Sequence, residues 1–366
     1  MLRMYHVLKL YTTVHDGVIS VYYIDMKIST SDLLQKLKSG ALRVVTEQEA
    51  EYFAQETVEA HLRKAPRTNP LKASIGDLQA AMKHKDNNIK YTVDLPSFVS
   101  IDFQRQGPLA YIKKIHDELE ERSYTNGMAM AAFTNSQSMH TLHIWVQGLA
   151  KRGLVAIAVC NGGPSVVVPY GGTRGVFGTN PMAFGIPGEN KEIHCVDMAT
   201  SQIPFFEFMD SLKNDKPLQQ NAAVDRNGLP TVVAKDAIDP TTNPNDPVSN
   251  ILPMGGGYKG YYLVYLLELL TSGLIGMPAS TEMSEEYKPE EHGAILIVFN
   301  PSAMASADKL ITTVQSLHKS INNQAPKPGD KVRIPGEENN KRYKELKNSK
   351  IDIDDSLIEK LDKLLK

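Results

Sequence analysis

Gly255-Gly256-Gly257-Tyr258-Lys259-Gly260 sets four glycines and one cation directly before an apolar run. Backbone N–H groups free of side chains can approach an anion at a helix N-terminus, where the macrodipole adds about half a positive charge. Lys259 adds a point charge suited to a pyrophosphate or a substrate carboxylate. The stretch satisfies G-x-G-x-x-G, but no convincing strand precedes it and no second βαβ half follows, so it is a weak Rossmann fingerprint, with a tight turn before a core helix as the alternative reading. A second cluster, Phe177-Gly178-Thr179-Asn180-Pro181-Met182, offers backbone and hydroxyl donors at a strand end. A third, Asp197-Met198-Ala199-Thr200-Ser201, puts a carboxylate at the end of an apolar strand, where it can cap a turn or hold a ribose hydroxyl.

Composition narrows the classes that could use such groups. The chain has 366 residues, with 40 Lys plus Arg against 42 Asp plus Glu and a formal charge of -2, which argues against a polybasic nucleic-acid binder and a disordered acidic tail. The length suggests about two domains at the usual ~150 residues each. Only Cys160 and Cys195 occur. A disulfide framework and a CxxC metal site are therefore excluded, no metal centre is expected, and a reducing compartment is the default. The most apolar run, Tyr261 to Ile275, is interrupted by Glu268, Thr271 and Ser272. It falls short of the ~20 apolar residues of a membrane span and reads as a buried helix. The N-terminus has neither a secretory nor a transit-peptide pattern, so a cytoplasmic protein is expected.

The elements that must position these clusters follow from periodicity. Residues 1–27 are an extension without clear pattern. Ser29 to Ser31 cap a short helix through Leu33, Leu34 and Leu37 with Gly40 as its stop, and Thr46 with Glu49 forms a capping box before a second helix. Pro108 opens a helix with Leu109, Ile112, Ile115 and Leu119 on one face. Strands are expected at Met128–Phe133, Leu154–Cys160, Ser165–Pro169, Met182–Ile186, Glu192–Asp197 and Ala294–Phe299, with helices around Trp145, from Lys259, through Leu310 to Leu317, and near Leu357 to Leu364. Several strands lie too close together for a helix in every crossover, so the sheet should be mixed.

Gly178-Thr-Asn-Pro-Met-Ala-Phe-Gly-Ile-Pro, Val196-Asp-Met-Ala-Thr-Ser and Leu252-Pro-Met-Gly-Gly-Gly-Tyr-Lys-Gly-Tyr, in this order and spacing, resemble the malate/L-lactate dehydrogenase family of the non-Rossmann type, which includes ureidoglycolate, sulfolactate and diketogulonate oxidoreductases. The resemblance runs from about residue 28 to 360. It implies an α/β protein with a mixed-sheet, non-Rossmann dinucleotide-binding domain at 126–320, a helical N-terminal lobe at 28–125 that contributes to the substrate site, and a C-terminal tail at 321–366 that packs back on the lobe. It also implies NAD or NADP as cofactor, a small 2-hydroxy or 2-oxo acid as substrate, a homodimer, and neither nucleic acid nor membrane as partner. Residue by residue, the implied cofactor contacts are Ser138, Gly162, Thr179, Asn180, Asp197, Met198, Ala199, Thr200, Gly257, Lys259, Gly336 and Glu337.

The departures bear on mechanism. The family's Ser-His-Gly motif falls on Arg63-Lys64-Ala65-Pro66-Arg67-Thr68-Asn69-Pro70, which holds no histidine, and a second family histidine falls on Ser138. His140 is displaced by two residues, a turn of about 200° around a helix, and so can substitute only in an extended or looped segment. The expected catalytic set is His140 as proton donor, with Lys259 as the other possibility, and Arg63, Arg67 or Lys259 as the cation for a carboxylate. Two functions compete, a malate- or lactate-type NAD(P)-dependent dehydrogenase and a catalytically impaired paralogue that binds dinucleotide or serves as a dimeric binding module, while a third, a phosphate-ligand binding protein using only the Gly255–Gly260 loop, leaves the other motifs unexplained.

Overall fold

The computed structural model describes residues 11–15, 18–22, 26–63, 69–83, 89–242, 248–283 and 292–365. The chain opens with strands β1 (Tyr11–His15), β2 (Val18–Tyr22) and β3 (Met26–Ser29). Helices α1 (Thr30–Ala41), α2 (Glu47–Arg63) and α3 (Pro70–Lys83) follow. Ser29 caps α1 by accepting from the Asp32 amide, and the Thr46–Glu49 capping box closes both ways, with the Thr46 amide 3.0 Å from Glu49 Oε2. Gly40 does not stop α1. It lies inside the helix, which ends on Leu42 in ordinary right-handed geometry. Helix α3 is not among the elements expected from the sequence, although Asn69 accepts from the Lys72 amide at 3.0 Å and Pro70 sits at its first position.

Strands β4 (Lys90–Leu95) and β5 (Phe98–Asp102) form a hairpin, and a short 3₁₀ turn then leads into α4 (Ile112–Asn126). Next come β6 (Met128–Ser136), α5 (His143–Lys151), β7 (Val155–Cys160), β8 (Met182–Pro187), β9 (Ile193–Met198), α6 (Phe205–Asn214), and the short β10 (Ala223–Val224) and β11 (Pro230–Thr231). The remainder is α7 (Tyr258–Thr271), β12 (His292–Phe299), α8 (Pro301–Met304), α9 (Ala307–Asn322), α10 (Glu337–Leu346), β13 (Lys350–Ile353) and α11 (Asp355–Leu364). The expected strand at Ser165–Pro169 is absent as a ladder: Val167 makes only isolated bridges, to Phe177 and Ile251.

Seven strands form one mixed sheet in the order β4-β5-β6-β12-β7-β8-β9, with β5 and β6 parallel and every other pair antiparallel. The hairpin 90–102, read as part of a helical lobe, is thus the edge of the central sheet. Alternation assigns the two faces. Ala129, Ala131 and Phe133 of β6, Ala156 and Ala158 of β7, and Leu296 and Val298 of β12 join the main core with α2, α4 and α5. Ile157, Val159, Ile295 and Ile297 point the other way, against Leu263, Leu267 and Leu270 of α7. Segments distant in sequence come together: β13 pairs antiparallel with β3, and Leu357, Ile358 and Leu361 of α11 enter the same core as Leu33 and Leu37. Among the described residues no helix is long and apolar enough to cross a membrane. Helix α7 is not buried all round, because Tyr262, Tyr265, Leu266 and Leu269 on one side are each about half exposed.

Candidate functional site

Register brings the three clusters to one end of the sheet. Ser136 pairs with His292, Cys160 with Ala294, Val159 with Met182, and Met182 with Met198. The loops after β6, β7 and β9 and the segment before β8 therefore converge. They carry Ser138 and His140, Asn161 and Gly162, Asp197 to Ser201, and Thr179 with Asn180.

Glu268, from the last turn of α7, ties these loops together. Only 5% exposed, it accepts from Asn180 Nδ2 at 2.7 Å, the Ser280 amide at 2.6 Å and Asn161 Nδ2 at 3.4 Å. Asn180 Oδ1 in turn accepts from the Gly162 amide at 3.0 Å, and Ser280 Oγ from the Gly178 amide at 2.8 Å. Thr200 Oγ1 donates to the Asn180 carbonyl at 2.9 Å, and its own carbonyl accepts from the Met254 amide at 2.8 Å. The Gly255 amide donates to Gln202 Oε1 at 2.8 Å. One hydrogen-bonded chain thus runs from Gly162 through Asn180 and Thr200 to the glycine loop. The Asn180 side chain, fully buried and spent on Gly162 and Glu268, positions the loops rather than reaching a ligand.

The glycine loop has the chemistry of an anion cradle. The first turn of α7 has no side-chain cap and no acidic residue, and Lys259 stands exposed within it. Gly255 and Gly256 hold φ of +73° and +65° beside open space, while a Cβ on Gly260 would lie 2.0 Å from the Met254 carbonyl oxygen, so that close approach requires glycine. Asp197 takes the capping role across the sheet end: Oδ2 accepts from Thr141 Oγ1 at 2.9 Å and from the His143 amide at 3.0 Å, which satisfies the start of α5. Met198 and Ala199 are half-buried beside it.

His140 lies in a loop between β6 and α5, the condition under which it can take over from the displaced family histidine. Its backbone is left-handed, φ +52°, its amide donates to Ser138 Oγ at 3.1 Å, and its ring is 42% exposed. Nε2 stands 3.6 Å from Oδ1 of the fully buried Asp77. His292, 2% exposed, donates Nδ1–H to the Asn161 carbonyl at 2.9 Å, and burial, reinforced by the nearby His140, pushes its pKa down to about 4. Burial pushes the Cys160 thiol up, with the Asp197 charge adding to it, so this cysteine is no nucleophile.

One expected site residue is engaged elsewhere. Arg63, proposed as a carboxylate cation, is 5% exposed, pairs with Glu59 at 2.7 Å, bonds Asn340 and stacks over Tyr343 at 4.4 Å. Its charge is consumed in fastening α10 to α2. Gly336 and Glu337 begin α10 along the outer edge of β9, where a Cβ on Gly336 would lie 3.1 Å from the Cys195 amide nitrogen, two residues before Asp197 on the same strand. Arg67 falls outside the described residues. Conversely, Asp77, Asn161, Glu268 and His292 were not expected at the site. Only Glu268 carried a signal, as a carboxylate interrupting an apolar helical run. Among the described residues no group of three or more His, Cys, Asp or Glu is placed to hold a metal ion.

Comparison with known proteins agrees with this architecture. Residues 31–362 match the family model described as malate/L-lactate dehydrogenase. Ureidoglycolate dehydrogenase (NAD(+)) of Escherichia coli O157:H7 is 30% identical over 241 residues, 64% of this chain and 65% of that protein, so the chain spans just under two thirds of that relative. The (2R)-3-sulfolactate dehydrogenase (NADP(+)) of Chromohalobacter salexigens is 28% identical over 214 residues, 57% of this chain and 59% of that one. In fold, the sulfolactate dehydrogenase of Methanocaldococcus jannaschii superposes with a TM-score of 0.76 at 23% identity, covering 93% of this chain and 96% of that one. The chain belongs to the malate/L-lactate dehydrogenase family.

Proposed function

We propose that the protein is an NAD(P)-dependent oxidoreductase that interconverts a small 2-hydroxy acid, of malate or lactate type, and its 2-oxo acid. The observation that carries this reading is the family match over 31–362 in a chain whose glycine loop, Thr179–Asn180 segment and 197–201 strand end are joined in one network. When bound, the dinucleotide supplies or accepts the hydride. The chain supplies the rest. The uncapped start of α7 and Lys259 hold an anionic group, a pyrophosphate or the substrate carboxylate. The Glu268 network fixes the loops on which Gly162, Thr179 and Thr200 stand. His140 gives a proton to the C2 oxygen in reduction and takes it back in oxidation.

Lys259→Met should raise the KM of the ligand whose charge Lys259 meets by about 10- to 100-fold, the usual cost of losing one bond to a charged group, and leave kcat within a few-fold. Steady-state kinetics against cofactor and acid in turn identify which ligand it is. The reading as a whole is tested by isothermal titration with NAD(H) and NADP(H), followed by turnover on a panel of 2-oxo and 2-hydroxy acids. Binding with turnover supports it. Binding without turnover on any acid favours the impaired paralogue, for which Ser138 in place of the family histidine speaks.

A homodimer belongs to the same proposal. Tyr258, Tyr262, Tyr265, Leu266, Leu269 and Leu274 are each 46–63% exposed along α7 and the turn after it, a continuous apolar stripe of the kind that marks an interface. Leu266→Glu is expected to convert a dimer into a monomer in light scattering, whereas an already monomeric parent protein would contradict the assignment. A cytoplasmic setting is in keeping with the two buried, unbridged thiols Cys160 and Cys195.

A further inference from the structure

We propose that Asp77 is the positioning residue of the reaction: it holds the Nε2–H of His140, leaving Nδ1 to exchange the proton with the substrate oxygen. This rests on the dehydrogenase reading above. Asp77 projects from α3 with no solvent exposure, and its Oδ2 accepts from the Leu109 amide at 3.0 Å. Its Oδ1 has no hydrogen-bond partner, and His140 Nε2 is 3.6 Å away. A buried carboxylate oxygen without a donor is costly, about 1–3 kcal/mol for a buried polar group in general and more for a charged one. A ring N–H brought from 3.6 Å into hydrogen-bond distance removes that cost and at the same time selects one tautomer of His140.

The surroundings keep the carboxylate in place. Gly107 leaves the space it fills, since a Cβ there would lie 2.3 Å from Asp77 Cγ. On the other side the imidazole is 42% exposed on a loop in left-handed geometry, so a side-chain rotation has room to shorten the 3.6 Å gap when substrate fills the sheet end. His292, the titratable group on β12 near His140, is buried and engaged with the Asn161 carbonyl. In reduction the bonds balance simply. With a bound dihydronicotinamide supplying the hydride of the new C2–H bond, the carbonyl π pair would take the Nδ1 proton of imidazolium His140 to form O–H, and neutral His140 would keep its Nε2–H on Asp77. The dinucleotide is oxidised and the 2-oxo acid reduced. Oxidation runs the same steps backwards.

The ring-nitrogen shifts of His140, read by long-range ¹H–¹⁵N NMR with the ring neutral, give the test that needs no turnover. The proton is expected on Nε2 in the parent protein and distributed between both nitrogens in Asp77→Asn. A proton on Nδ1 in the parent protein overturns the proposal. In kinetics, Asp77→Asn should lower kcat by about 100-fold with cofactor affinity unchanged, and Asp77→Glu should recover part of it. An active parent whose kcat survives Asp77→Asn within threefold also overturns it. An Nε2–H tautomer that depends on Asp77 in a protein without turnover would support the pair and sink the dehydrogenase reading alone.

Discussion

His140→Ala is expected to turn over a 2-oxo acid about 10²- to 10⁴-fold more slowly, the range of a lost general acid, while binding dinucleotide as before. The loop position makes this a clean substitution. The ring is 42% exposed, and the loop's internal contact to Ser138 is made by the backbone amide, so loop geometry does not depend on the imidazole and the cost of removing it falls on the buried Asp77 Oδ1, 3.6 Å from Nε2. The other histidines near this end of the sheet cannot replace it without rearrangement, since His143 and His292 are 1% and 2% exposed. Stopped-flow measurement of dihydronicotinamide absorbance separates the chemical step from cofactor binding. A kcat within about threefold of the parent would move the proton to Lys259 or another donor.

Acid should unfold the protein early. His292 is held neutral in the fold with a pKa near 4 against an ordinary 6.5, whereas the unfolded chain takes up a proton near 6.5. The unfolded state therefore binds more protons between these values, and stability falls as pH drops through that window. At neutral pH the contribution is intact, and below about pH 4 no more is lost. The shift corresponds to about 3 kcal/mol from His292 alone. His116, fully buried with Arg152 and Lys151 nearby, and His61, lowered to about 4 chiefly by burial, act in the same direction. Urea unfolding at about pH 7.5, 6 and 5 should show a steady decline, flatter in His292→Asn. Equal stability at about pH 7.5 and 5 would contradict the neutral buried histidines.

Periodicity made the central elements legible. The alternation in β6, β7, β8, β9 and β12 marks residues that face two different layers, and the short spacing between strands correctly implied antiparallel neighbours. What escaped was held by contacts distant in sequence. Helix α10 is strongly polar and joins the fold through Asn340, whose Nδ2 bonds the Ile193 carbonyl and whose Oδ1 meets Arg63. No local pattern reports that. The same contact explains why Arg63 looked available: its neighbours in sequence are a helix end, but its real partners are Glu59 one turn back and a helix near the other terminus. Gly40 looked like a stop because glycine usually is one after an apolar run, yet α1 continues to Ala41.

The site divides in the same way. Glycines, the Thr179–Asn180 pair and the Asp197 strand end were visible as motifs, although two of these side chains, those of Asn180 and Asp197, turn out to fix loops. Asp77 was invisible: a lone acid in an amphipathic helix gains meaning only when a loop that follows β6 brings His140 beside it.

The most direct test of the account follows the transferred hydrogen. With 4-deuterated NADH or NADPH and a 2-oxo acid, mass spectrometry and NMR of the product should find one deuterium at C2 of the 2-hydroxy acid from one face of the nicotinamide, with none arriving from solvent. Deuterium lost to water, or no oxidation of either dinucleotide with any acid of the panel, would contradict hydride transfer as the function of this fold.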